Sequence, residues 1–287
     1  MFDISVVILT FNSRKYISNC LHSLFDQQIE GAQVIVIDNG SKDGTVDFIK
    51  ANYPQVELIV NQENLGACKG KNQGIEAALG EWILTLDCDL VLGCGFIKQA
   101  MKLARSSSEA VGMIQPKILT NDKQTIFSCG IQRGWLSRFQ DIGKGCASTP
   151  KFDFTLPVFG ACCAAALYRR KMLIEIKDRH GYFDERFFFL FEDADLSWRA
   201  QKKGWFCRYY PQLEGFHQGN SSCTDKKNRQ ILSLRNRRLT ILKNQHPVII
   251  LLMFPLYLVY DLPRFLILAV KFKFKFPKFG QLNLCTK

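Results

Sequence analysis

Four short runs of β-branched and aliphatic residues, separated by segments of helical period, constrain this chain more than any other feature. Ile4–Leu9, Val34–Ile37, Val56–Val60 and Trp82–Leu86 read as strands, and Ser13–Phe25, Thr45–Asn52 and Gly66–Leu79 between them read as helices. Runs without polar alternation belong to strands covered on both faces. Strands joined through helices lie parallel, because a parallel pair needs a crossover connection. The fold class is α/β, with a mostly parallel central sheet flanked by helices. Ser13 stands at the expected N-cap of the first helix, with Ile17, Cys20, Leu21 and Leu24 at helical spacing behind it.

In open parallel sheets, ligands bind beyond the carboxyl ends of the strands. Three of those ends are polar: Thr10-Phe11-Asn12, Asp38-Asn39-Gly40-Ser41 and Asp87-Cys88-Asp89. Each alone is ordinary turn chemistry. Together, on one edge of one sheet, they suggest a site. Two carboxylates one residue apart suit a hard divalent cation, Mg²⁺ or Mn²⁺, that also takes oxygens from a bound diphosphate. The first strand–helix turn lacks the GxGxxG of dinucleotide-binding folds, and no Walker A sequence occurs. Phosphates must then be held by metal and basic residues rather than by a glycine cradle.

Ser5–Asn12 followed by Val36–Thr45 resembles the opening of family 2 glycosyltransferases. Asn64-Leu65-Gly66-Ala67-Cys68-Lys69-Gly70-Lys71 resembles that family's Asn-Leu-Gly segment, although Cys68-Lys69 stands where Arg or His is frequent. Asp87-Cys88-Asp89 resembles its DXD, and Phe191–Arg199 the Glu-Asp segment of the rhamnosyltransferase-like branch. The resemblance spans about residues 3–240 and implies a GT-A fold that transfers sugar from a nucleotide-diphosphate donor. It implies that Thr10, Asn12 and Asp38 line the base and ribose pocket, with Asn64, Gly66, Lys71 and Asp87 also on the donor. Asp89 would bind the metal and Asp193 would be the general base on an acceptor hydroxyl. His217 would reach the metal or diphosphate, and Glu192 and Arg235 would contact acceptor or phosphate. Each has a plainer reading as well. Acids such as Asp193 and Asp195 also favour the first turn of any helix, a lone His is commonly structural, and Arg235 could sit on a solvated face.

The second half is less regular, with strand-like pieces at Val111–Gln115, Thr125–Gly130 and Phe206–Tyr210, and a loop-rich stretch from Ile131 to Pro157. His217 is expected in a loop after the last of these pieces. The expected division is 1–224 as the transferase domain, with 1–90 as the nucleotide half and 91–224 as the acceptor half, and 225–287 as a basic, hydrophobic helical tail. Charge follows that division. Of the net +12, residues 225–287 carry +11 and the rest +1. A neutral body disfavours nucleic acid, and the basic tail points to an anionic surface. Eleven cysteines without a CxxC spacing read as reduced thiols, and Met1–Leu9 shows no signal peptide.

Val248–Tyr260 is too short for a hydrocarbon core of about 30 Å, and extension to Val270 takes in Asp261, Arg264, Pro255 and Pro263. Either charge at the bilayer centre costs about 2.5–3.5 kcal/mol. The expectation is an interfacial or re-entrant helix pair, followed by a Lys-Phe alternation that suits anionic head groups. The enzyme would work on the cytoplasmic membrane face, on a glycan or lipid-linked acceptor. Two alternatives compete: an inactive, membrane-attached interaction module, which the Asp87, Asp89 and Asp193 triplet disfavours, and a nucleotidyltransferase, which lacks its Gly/Arg phosphate loop here.

Overall fold

The computed structural model describes residues 2–27, 31–219 and 226–272. The first half alternates as expected: β1 (Ile4–Thr10), α1 (Arg14–Phe25), β2 (Ala32–Asp38), α2 (Thr45–Asn52), β3 (Glu57–Val60), α3 (Ala67–Ala77) and β4 (Trp82–Asp87). β4, β1, β2 and β3 lie side by side, all parallel, and register sets Thr10 beside Asp38 and Leu9 beside Asp87. The three polar strand ends therefore share one edge.

The second half follows as β5 (Leu90–Leu92), α4 (Phe96–Ser106), β6 (Val111–Thr120), β7 (Ile126–Ser128), β8 (Ile131–Arg133), β9 (Phe139–Asp141), β10 (Leu156–Val158), β11 (Ala165–Arg169) and α5 (Arg170–Ile176). Then come α6 (Glu192–Lys202), β12 (Phe206–His217), α7 (Lys226–Asn244) and α8 (Pro247–Phe272). β11 runs antiparallel to both β4 and β6, so the whole sheet, in the order β10-β12-β6-β11-β4-β1-β2-β3, is mixed. Just before β11, the Ala164 carbonyl accepts from the Asp87 amide at 2.8 Å, at the end of β4. Helices cover both faces: Ile17, Leu21 and Leu24 of α1 join one core with Val6 and Ile8, while Ile75 of α3 joins Val7 and Ile37 in the other.

Three local expectations change. Ser13 does occupy the position before α1, but its hydroxyl does not cap the helix; it donates to the Phe11 carbonyl and accepts from the Cys88 thiol. The hydroxyl is thus used to tie the β1 and β4 turns together. β12 does not stop at Tyr210 but continues, over a register shift, to His217, because β5 and the end of β6 pair with its far end. His217 is thus held at Thr120 and Leu90 by strand pairing rather than left in a loop. The apolar tail is one helix rather than a pair, and both Pro255 and Pro263 lie inside it. Each proline removes one N–H from the ladder, and the unbroken apolar turns on either side carry the helix past it. The expected Lys-Phe alternation from residue 273 onward lies outside the described residues.

α7 is built into the body. Asn244 donates to Asp195 at 2.7 Å, and Lys243 bridges Asp184 and Asp195 at 2.8 and 3.0 Å. α8 lies against α7 through Arg237, whose guanidinium meets both oxygens of Asp261 at 2.7 and 2.8 Å in a buried pair.

Candidate active site

A cavity of about 530 Å³ opens at the carboxyl edge of the parallel strands. Nine of the twelve candidate residues line it: Thr10, Asn64, Gly66, Lys71, Asp87, Asp89, Glu192, Asp193 and His217. The other three lie outside its lining. Asp38 is fully buried; its Oδ1 accepts from the amides of Gly40 and Ser41 at 3.0 and 2.8 Å, and its Oδ2 has no hydrogen-bond partner among the described residues. Asn12 is exposed, with φ of 48°, and its side chain accepts from Lys42 N at 2.8 Å, joining the β1 and β2 loops. Arg235 donates to the Arg186 carbonyl at 2.8 Å.

At one end of the cavity, ligating atoms of Asp87, Asp89 and His217 all lie within 4.8 Å of one another. His217 Nε2 stands 3.6 Å from Asp89 Oδ1, and Phe127 stacks on the imidazole at 4.2 Å and 10°. Two carboxylates and one imidazole fit a divalent cation that keeps other positions for water or phosphate oxygens.

Lys71 is buried beneath this trio. Its ammonium meets Asp87 Oδ1, the Cys163 carbonyl and Cys163 Sγ, each at 3.1 Å. Burial works against its charge, but Asp87 and nearby groups including Glu192 outweigh that cost and hold the ammonium well above its ordinary range. α3 brings Lys71 here by starting at Gly66, whose φ is +86° and whose missing Cβ would stand 2.5 Å from the Phe188 ring. Only glycine satisfies both conditions.

α6 brings Glu192 and Asp193 to the same cavity, where Cys163 Sγ lies 3.1 Å from Lys71 Nζ and 3.6 Å from Glu192 Oε1. Burial pushes the Asp193 carboxyl up to about 7, and the neighbouring negative charges of Glu192 and Asp141 act in the same direction. Glu192 is also raised, again chiefly by burial, with Lys71 opposing. Asp141 comes from the β8–β9 hairpin, paired with Lys144 at 2.7 Å. These two cavity residues, with Phe127 and Phe139, fall in or beside the stretch that reads as loop from the sequence. Phe139 and Asp141 were hidden because β9 is only three residues long, too short for alternation to register. The thiol of Cys88, between Asp87 and Asp89, is pushed up to about 12 by burial and remains protonated.

The profile of Glycosyl transferase family 2 matches residues 5–177, more than half of the chain. The chain belongs to this family. A Mycobacterium tuberculosis N-acetylglucosaminyl-diphospho-decaprenol L-rhamnosyltransferase is 28% identical to it over 236 residues, covering 74% of this chain and 75% of that protein. EpsH of Bacillus subtilis is 31% identical over 111 residues, of which this chain spans only 32% of the relative's length. Among solved structures, GalNAc-T7 with UDP, GalNAc and Mn²⁺ has a TM-score of 0.63 at 14% identity, covering 84% of this chain and 48% of that one. Staphylococcus aureus TarS 1-349 in complex with UDP has a TM-score of 0.57 at 18% identity, covering 96% and 73%. The fold is GT-A. This family 2 glycosyltransferase carries Asp193 and His217 beyond the span that the family profile matches.

Proposed function

We propose that this glycosyltransferase is an inverting enzyme that moves a sugar from a nucleotide-diphosphate donor to a hydroxyl of a glycan or lipid-linked saccharide, in cell-surface polysaccharide synthesis at the cytoplasmic membrane face. One observation carries the reading: a metal-type trio and a carboxyl raised to about 7 stand on the same cavity. Asp87, Asp89 and His217 would hold Mg²⁺ or Mn²⁺, which when bound supplies positive charge to the leaving diphosphate. Asp38 Oδ2 and Thr10 Oγ1, buried without partners among the described residues, offer hydrogen bonds to base and ribose. Asn12 would close that pocket from the exposed loop, and Asn64 and Gly66 would contact the donor from the start of α3. Lys71, 3.1 Å from Asp87 Oδ1, holds that carboxylate in place. Asp193 would take the acceptor proton as the hydroxyl attacks the anomeric carbon from the face opposite the diphosphate. Glu192 would stand beside it on the acceptor side, while Arg235 would act on the aromatic segment behind the cavity instead of touching phosphate.

The relative named for a decaprenol-linked substrate supports a lipid-linked acceptor. α8 supports membrane attachment: Pro247–Val270 has a mean hydropathy of 1.7, is long enough to reach across a bilayer, and is mostly uncovered by the protein. Thermal-shift titration with UDP-, dTDP- and GDP-sugars, with and without MnCl₂, tests the donor. Stabilisation by one class, only with metal, followed by release of its nucleoside diphosphate on adding a prenyl-diphosphate saccharide, is the expected result. No stabilisation by any donor would leave the inactive interaction module as the better reading.

A further inference from the structure

The five residues in front of α6 hold an uncommon backbone. Phe188, Leu190 and Phe191 have φ of 63°, 70° and 71°, and none is glycine. Residues with side chains stay in the left-handed region only where their surroundings impose it. Phe191 is the N-cap of α6, so its conformation aims the first turn and with it Glu192 and Asp193.

Asn236 of α7 imposes that conformation. Its side chain is fully buried, and its Nδ2 donates to the carbonyls of Phe187, Phe189 and Leu190 at 3.0, 2.8 and 2.8 Å. Arg235 Nη1 donates to Asn236 Oδ1 at 3.3 Å, which orients the amide. The amides of Ala67 and Cys68 donate to the Phe188 carbonyl at 2.7 and 3.3 Å, and that of Asp195 to the Phe191 carbonyl at 2.9 Å. One amide on α7 and the start of α3 thus clamp the arch between them. The same α3 carries Lys71, which pairs with Asp87, so the arch links the start of α6 to the helix behind the metal-type trio.

We propose that Asn236 is a positioning residue for sugar transfer, holding residues 187–191 in a left-handed arch that presents Asp193 to the acceptor side of the cavity. The inference rests on Asp193 acting as the base. Asn236 itself touches neither donor nor acceptor, so its loss should leave nucleotide binding alone and reduce turnover.

In the full-length protein, Asn236→Ala is expected to bind UDP or dTDP with MnCl₂ within about threefold of wild type by calorimetry. Turnover should fall at least tenfold, and amide exchange across 67–68 and 187–191 should quicken. Leu190→Gly in the Asn236→Ala background should recover several-fold of that loss, because glycine takes a φ near +70° without strain. If the alanine variant does not purify folded, Asn236→Ser, which keeps one donor, takes its place with the same expectations. Turnover equal to wild type, unchanged exchange, or a parallel fall of turnover, nucleotide affinity and melting temperature without rescue would each overturn the proposal. Wild-type protein that transfers no sugar from any donor would remove the base assignment instead. The exchange at 67–68 would then still decide whether Asn236 holds the arch.

Discussion

In the proposed reaction Asp193 and Asp89 have different tasks, and isosteric amides separate the two. Asp193→Asn keeps shape but cannot accept a proton, so donor affinity should persist while transfer slows by about 10²–10⁴-fold. The wild-type rate should rise with pH through about 7 and then level, because only the ionised carboxyl can act. Stability should move the other way. A carboxyl raised by burial contributes most while it is neutral, below the ordinary carboxylate range, and that contribution is lost as pH rises through about 7. Asp193→Asn, permanently neutral, should therefore melt higher than wild type at pH 8 and match it near pH 4. A pH-independent difference in melting would assign the raised value elsewhere. Asp89→Asn should instead abolish the Mn²⁺ dependence of nucleotide binding, measured by titrating UDP with and without metal; unchanged dependence would move the metal off this trio.

Elements were legible in the sequence to the extent that their signals were local. β1, β2, β4 and α2 announce themselves by period and by turn residues, and α2 runs Thr45–Asn52 as read. β12 was cut short because its pairing partners, β5 and β6, are distant in sequence and no local period marks the bulge after Tyr210. The three polar strand ends were readable because parallel register alone aligns them. Asn236 was not readable, since one buried amide in a basic helix looks like any solvated residue until its carbonyl partners are known. α3 offers an element-scale test. Its Gly74 meets β1 and β2 so closely that an added Cβ would stand 2.3 Å from Val7 Cγ1 and 2.5 Å from Ile37 Cδ1. Alanine there gains helix propensity of up to about 1 kcal/mol, but overpacking a fixed sheet costs about 1–3 kcal/mol. Gly74→Ala should lower unfolding free energy in urea; an increase would show that α3 can shift outward.

The molecule's charge and apolar surface gather at one end, and where that end becomes separable decides how it can be tested. An expected division after residue 224 would place α7 in the tail, yet Asn236, Lys243 and Asn244 bond to the arch, Asp184 and Asp195. We propose the separable part begins at His246. Ending the chain there removes α8, whose Leu251, Leu252, Val259 and Val270 are more than two-thirds exposed, and leaves α7 in place. Arg237 then loses Asp261 but gains water, a milder change than removing one partner while its site stays buried, which costs about 3–5 kcal/mol. The shortened protein should stay in the soluble fraction and bind UDP–Mn²⁺ as full-length protein does. Ending the chain at residue 224 should instead abolish folding or nucleotide binding, because the buried carboxylates of Asp184 and Asp195 lose Lys243. Full-length protein should bind vesicles containing anionic lipid, and added salt should weaken only the electrostatic part of that binding. Full-length protein that remains in solution without detergent and ignores such vesicles at low salt would make α8 an interface with another protein, and the lipid-linked acceptor would lose its structural support.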